Sequence, residues 1–276
     1  MSKLVLITGN HPRHFYTAYK LSRAHCIDGW IIMDRGRFMP SSPIVLDNCE
    51  LNSLCTLHFK RRYESECRFF LDSVIDGDLL SESFQAGISD NIIRCNNAEL
   101  NSKLISDFLS KLDVDFALTY GCGIVSNYIL SFLPANRYNL HGGISPWYRG
   151  CITHFWPSYM LEPQMTGMTL HTLTSVLDGG DIVHQKSGQL VRGDSLHDLA
   201  CRTVKSFVDE ISDVVDLICD DRHLLIPQKT SGKLWVMSDW HPKHLQLIYS
   251  YFEDKIVDYC LDNDLADLSK PIIRAL

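Results

Sequence analysis

Short apolar runs alternate with amphipathic stretches over the first 190 residues. Residues 3–8 are apolar and β-branched, which predicts a strand buried on both faces, and Gly9-Asn10 turns it. Residues 13–25 have helical periodicity, Cys26-Ile27-Asp28-Gly29 breaks it, and residues 30–34 predict a second buried strand. Strand, helix, strand at this spacing is a βαβ unit, so a parallel sheet is expected. A loop over 35–48 with Pro40 and Pro43, a helix over 50–71 and a strand over 91–95 follow. Asn97 is placed to cap a helix carrying Leu100, Leu104, Phe108 and Leu112 at i+4 spacing. Residues 114–120 predict a buried strand, 124–133 a helix, and 138–141 a short strand ending at Gly142-Gly143.

Two more strands are expected over 166–173 and 181–191. Asp194 is then expected to cap one long helix, with Leu196, Leu199, Thr203, Phe207, Ile211, Val214 and Ile218 on a single stripe. A short strand over 233–237 and a helix from Pro242 through Leu245, Ile248 and Phe252 complete the chain. The pattern predicts an α/β catalytic domain over 1–190 and a small, mostly helical C-terminal extension over 191–276. Open parallel sheets place their sites beyond the carboxyl ends of the strands, which points to the loops 9–14, 121–124 and 139–150.

Composition changes this picture little. The chain of 276 residues is 45% hydrophobic and 21% charged, ordinary globular values. Its apolar runs fall short of the ~18 residues that cross a bilayer. The run at 4–7 is too short for a signal-peptide core, so a cytoplasmic protein without membrane partners is expected. Ten cysteines lie scattered without Cys-x-x-Cys spacing, the usage of free thiols in a reducing compartment. The net charge of -7 works against a nucleic-acid partner.

Candidate chemistry concentrates at 139–150. In a strand, residues i and i+2 share a face, so Asn139 and His141 project together at a strand end. An amide beside an imidazole can hold an oxyanion and move a proton. Asp178 lies thirty-seven residues beyond His141, before Gly179-Gly180. His141, His154, His171 and His184 have neither the short spacing of a structural zinc site nor a His-Glu-x-x-His pattern, so no metal is expected. His171 reads as a satisfied core residue near the site. The first turn lacks Gly-x-Gly-x-x-Gly, which argues against a dinucleotide site.

Taken in order, Asn139-Leu140-His141, Pro146-x-Tyr148-Arg149-Gly150, Gly167-Met168-Thr169-Leu170-His171 and Leu177-Asp178-Gly179-Gly180-Asp181-Ile182 resemble the formyltetrahydrofolate-dependent formyltransferases. The resemblance covers roughly residues 115–190 by motif and 1–114 by topology. It implies a Rossmann-like formyltransferase fold with a mostly parallel twisted sheet. It places Asn139, His141 and Asp178 on the catalytic triad, with a protonated His141 and Asn139 facing the formyl oxygen. It also implies N10-formyltetrahydrofolate as co-substrate, held largely by backbone of two loops. One loop is Tyr120, Gly121, Cys122, Gly123 and Ile124, where the glycines would permit close approach. The other includes Thr172, Leu173, Thr174 and Leu177. Acceptor contacts are expected from Asn10, His11 and Arg13 at the first helix N-terminus, and from Trp147, Tyr148 and Arg149.

Residues 191–276 hold 10 Lys and Arg against 15 Asp and Glu, a balance of -5, the wrong sign for a tRNA-binding domain. The chain is also long for a glycinamide ribonucleotide enzyme. Its motif segment looks most like the sugar N-formyltransferases of surface-polysaccharide and lipopolysaccharide O-antigen pathways. The acceptor so implied is a nucleotide-linked amino sugar, dTDP- or GDP-linked, and a homodimer through the C-terminal helices is expected. The alternatives are a formyltetrahydrofolate hydrolase, a methionyl-tRNA or glycinamide ribonucleotide formyltransferase, and an inactive ligand-binding module.

Overall fold

The computed structural model describes residues 2–36, 38–228, 232–265 and 272–275. The uniformly apolar first strand, β1 (Lys3–Gly9), feeds two cores at once. Leu4 and Leu6 point to one face and Val5 and Ile7 to the other, all at 1% exposure or less. β2 (Cys26–Met33) and β4 (Phe116–Tyr120) alternate in the same way, so both sheet faces are covered by helices. Each such large apolar side chain contributes roughly 1.5–3 kcal/mol on burial. One face is covered by α1 (Pro12–Ser22), α7 (Leu196–Val208) and α8 (Ile211–Cys219). The other is covered by α4 (Lys103–Leu109) and α5 (Asn127–Leu130).

The remaining strands are β3 (Ile92–Cys95), β5 (Arg137–His141), β7 (Gly167–Thr172) and β8 (Ile182–Ser187). The order is β3-β2-β1-β4-β5-β7-β8. Pairing is parallel from β3 through β5 and antiparallel from β5 to β8. A separate two-stranded sheet joins β6 (Tyr148–Gly150) to β9 (Lys233–Trp235) in parallel. α2 (Cys49–Glu66) runs into a π-helical turn at Cys67–Leu71, and α3 (Glu82–Ala86) and α6 (Trp156–Tyr159) are short helices in the connections. A third, aromatic-rich core packs Tyr148, Phe155, Trp156, Trp235 and Tyr249 together.

Several elements differ from expectation, each for a local reason. The long helix after Asp194 is two helices. Lys186 Nζ takes the Ser206 carbonyl (3.0 Å) and Glu210 Oε2 (2.8 Å), and Glu210 N–H bonds back to Phe207 O (3.1 Å), so the i+4 ladder breaks at Asp209-Glu210. Its cap is Ser195, in a capping box with Asp198, while Asp194 grips Arg202 with two 2.8 Å bonds. Asn97 caps nothing, because the helix starts at Lys103; Leu104 is 49% exposed and Ile105 and Leu109 are buried instead. The helix expected over 124–133 is only Asn127–Leu130, the strand over 181–191 ends at Ser187, and the segment after Pro242 forms a π-type turn at Gln246–Tyr251. The core crosses the domain boundary expected at 190, because α7 and α8 pack on the sheet beside α1. No helix among the described residues is long and apolar enough to cross a membrane.

Candidate active site

Tyr138 and Leu140 of β5 face the first core, which turns Asn139 and His141 to the opposite face. Register does the next step. Asn139 lies opposite Thr119 on β4 and opposite His171 on β7, so the three form a polar row across the sheet. Thr119 Oγ1 donates to Asn139 Oδ1 (2.7 Å). That fixes the amide so that Nδ2 points the other way. Nδ2 donates to His171 Nε2 (3.1 Å) and to Asp178 Oδ1 (3.3 Å). His171 can accept there because its Nδ1–H is spent on the Thr172 carbonyl (2.9 Å).

The β7–β8 link folds back along the sheet and delivers Asp178 to this row. Asp178 Oδ2 accepts the Gly150 N–H (2.8 Å) and lies 3.4 Å from His141 Nδ1. His141 Nε2–H donates to the Tyr148 carbonyl (2.8 Å). Asn139, His141 and Asp178 thus converge, with His171 as a fourth member that motif reasoning left out of the site. The i+2 spacing from Thr169 could have placed His171 on a face, but its pairing with Asn139 is a property of register.

Electrostatics set the protonation states. Burial pushes the Asp178 carboxyl up, but His141, His171 and the Gly150 N–H outweigh it and hold the pKa at about 2. Burial pulls the His141 imidazole below its ordinary 6.5, and the Asp178 carboxylate opposes that without reversing it. His141 is therefore neutral at pH 7, with its proton on Nε2, rather than the imidazolium expected. The site holds an ionised carboxylate, a neutral ring whose Nδ1 faces that carboxylate, and an amide donor.

The two glycine positions behave differently from expectation. Gly121 has φ +64°, and a Cβ there would sit 2.2 Å from the His14 ring; at Gly123 it would meet Asn97 Oδ1 at 2.4 Å. Both glycines serve internal packing. The Tyr120 ring is buried edge-on against His14, so this residue offers backbone only. Cys122 and Leu173, one from each expected carrier loop, pack on the same core cluster. Ile124 (65%), Val176 (59%) and Leu177 (41%) are exposed on these loops. Thr172 and Thr174 instead brace the hairpin, accepting from Asp181 N (2.9 Å) and Val176 N (3.2 Å).

The expected acceptor residues divide. Arg13 is turned mostly inward, its side chain 15% exposed. It pairs with Glu66 (2.6 Å), a carboxylate with no exposed area. Asn10 is turned to the end of β2, donating to Asp34 Oδ1 (2.9 Å). His11 accepts from Arg62 Nη2 (2.7 Å), and Phe38 stacks on Tyr63 nearby, with ring centroids 4.8 Å apart. The cations at this mouth are therefore Arg62, half-buried and bonded to Glu66 (3.1 Å), and the exposed Arg35, which donates to the Gly121 carbonyl (2.8 Å); sequence reasoning missed both. Tyr148 is buried with its hydroxyl donated to Glu162 (2.7 Å), and Trp147 packs partly against the aromatic core, so neither is free to stack on a base. Arg149 is buried near the site, and its charge works against protonation of His141.

Residues 80–215, which contain every member of the Asn139, His141, Asp178 and His171 cluster, match the formyl transferase family. A stretch of 90 residues is 38% identical to the bifunctional polymyxin resistance protein ArnA of Wigglesworthia glossinidia brevipalpis; it covers 32% of this chain and about a seventh of that protein's length (14%). Among solved structures, an N-formyltransferase from Helicobacter canadensis in complex with folinic acid and dTDP-3-aminofucose superposes with TM-score 0.55 at 16% identity, over 87% of this chain and 73% of that one. A phosphoribosylglycinamide formyltransferase from Anaplasma phagocytophilum gives 0.53 at 18% identity, over 85% and 98%. At these identities the likeness is one of fold, and it is equally close for sugar and glycinamide ribonucleotide relatives.

Proposed function

We propose that the protein transfers the formyl group of N10-formyltetrahydrofolate to the amine of a nucleotide-linked amino sugar. The observation that carries this reading is the meeting of a side-chain amide, an imidazole and an ionised carboxylate inside the formyl transferase segment. The carrier supplies an activated formyl carbon. Asn139 Nδ2 exchanges its longer bond, to Asp178 Oδ1 (3.3 Å), for the formyl oxygen as negative charge grows there. A positioned donor of this kind is worth roughly 2.7–4 kcal/mol in known oxyanion holes. As the neutral amine adds, its proton passes to His141 Nδ1, and the Asp178 carboxylate stabilises the resulting imidazolium. The proton then leaves with the carrier nitrogen as the C–N bond to the carrier breaks.

The sugar acceptor is supported by the motif segment and by the acidic sign of residues 191–276, which disfavours tRNA. Arg62 and His11, with the Phe38–Tyr63 stack beside them, are suited to the phosphate and base of such an acceptor. The test is a screen of amino-sugar nucleotides with the formyl carrier, read by mass gain of one formyl group. The reading expects carrier consumption only when an amino-sugar nucleotide is present. Consumption at full rate without an acceptor assigns a hydrolase instead, and turnover with charged initiator tRNA or glycinamide ribonucleotide overturns the acceptor.

A further inference from the structure

We propose that Gln228 is a positioning residue for Asp178, holding from the C-terminal segment the backbone turn on which that carboxylate stands. This inference rests on the reading of Asp178 given above. Asp178 has φ +46°, a left-handed conformation that a non-glycine residue keeps only when its surroundings impose it. Gln228 Nε2 donates to the carbonyls of Asp178 (2.9 Å) and Gly180 (2.7 Å), spanning that turn. With two carbonyls facing it, the amide nitrogen must point inward. Its Oε1 is buried with no hydrogen-bond partner among the described residues, a cost in stability that the two donations offset.

The donor itself is anchored. Ile226 and Ile182 exchange backbone bonds of 2.9 Å in both directions, which ties the segment before Gln228 to the start of β8. A second contact from the same part of the chain reaches the carboxylate end. β9 pairs with β6, and Cys151 N–H bonds to the Trp235 carbonyl (2.8 Å). Gly150, whose N–H holds Asp178 Oδ2, has φ +92°, and a Cβ there would lie 2.1 Å from the Trp235 oxygen. The C-terminal segment therefore grips the Asp178 turn by its backbone through Gln228 and steadies its carboxylate through β6. A side chain outside the formyl transferase segment thereby completes the geometry of one inside it.

The experiment compares wild type, Gln228→Ala and Asp178→Asn in the full chain. For Gln228→Ala, kcat is expected to fall between about tenfold and about 100-fold, the scale of a small misplacement. The acceptor KM should stay within about twofold and the melting temperature nearly constant. Amide hydrogen exchange over 174–181 should rise while the rest of the sheet is unchanged. Unchanged kcat in Gln228→Ala beside an inactive Asp178→Asn overturns the inference and leaves the reading of Asp178 intact. Full activity of Asp178→Asn overturns that reading, and exchange over 174–181 then decides the grip alone, with unchanged protection refuting it.

Discussion

At the scale of residues, the informative atoms are those whose partners leave them one role. Asn139 cannot flip, because Thr119 holds its oxygen, and His171 keeps a proton on Nδ1, because the Thr172 carbonyl accepts it there. His141 is the balance point. Burial lowers its pKa and Asp178 resists, so in the wild type its ring is expected to titrate below 6.5 in a histidine NMR experiment. Asp178→Asn removes the opposing charge and should lower that titration further. A ring that titrates above 6.5, or that ignores Asp178→Asn, contradicts the assigned neutral form. The residue types of the triad were legible from the order Asn-x-His then Asp-Gly-Gly. The fourth member was not, since His171 meets Asn139 through strand register, which no local pattern encodes.

At the scale of elements, the Arg13–Glu66–Arg62 group decides how α2 docks on α1. Burial pushes the Glu66 carboxyl up, but the two guanidiniums outweigh it and hold it well below the usual carboxylate range. Glu66→Ala would leave Arg13 mostly buried and uncompensated, a loss of roughly 3–5 kcal/mol. Chemical denaturation should show that loss, and a change under 1 kcal/mol would mean the group contributes little. Arg13 was read from sequence as a phosphate ligand because a cation at a helix N-terminus invites that reading. Only the fold supplies Glu66 fifty-three positions later. The buried strands were legible as apolar runs. The antiparallel turn of β7 and β8 was not, because an apolar run carries no direction. The break between α7 and α8 was equally hidden, since the stripe of apolar positions continues through it while Lys186, on another element, removes the Ser206 carbonyl.

At the scale of the whole molecule, buried histidines set the acid limit. Burial holds His58 and His154 at about 3, and His14 and His197 well below 6.5. Their folded values lie under the unfolded 6.5, so below that pH the unfolded chain binds the extra protons. Stability is then full above 6.5 and falls as pH drops. Each group contributes up to about 1.4 kcal/mol per pH unit, so four together approach about 5 kcal/mol per unit, comparable to the whole stability of many domains. Melting temperature should fall steeply between pH 6.5 and pH 5, and a flat profile there contradicts the burial. The same integration of distant parts underlies the chemistry, in which strands β4, β5 and β7, a hairpin turn and the C-terminal segment set four side chains around one point. The most direct test is single-turnover formyl transfer by Asn139→Ala under saturating carrier and acceptor. The account predicts a rate about 100- to 1,000-fold below wild type with carrier affinity unchanged. A rate equal to wild type would mean that the formyl oxygen is held elsewhere and that this cluster is not where the transfer occurs.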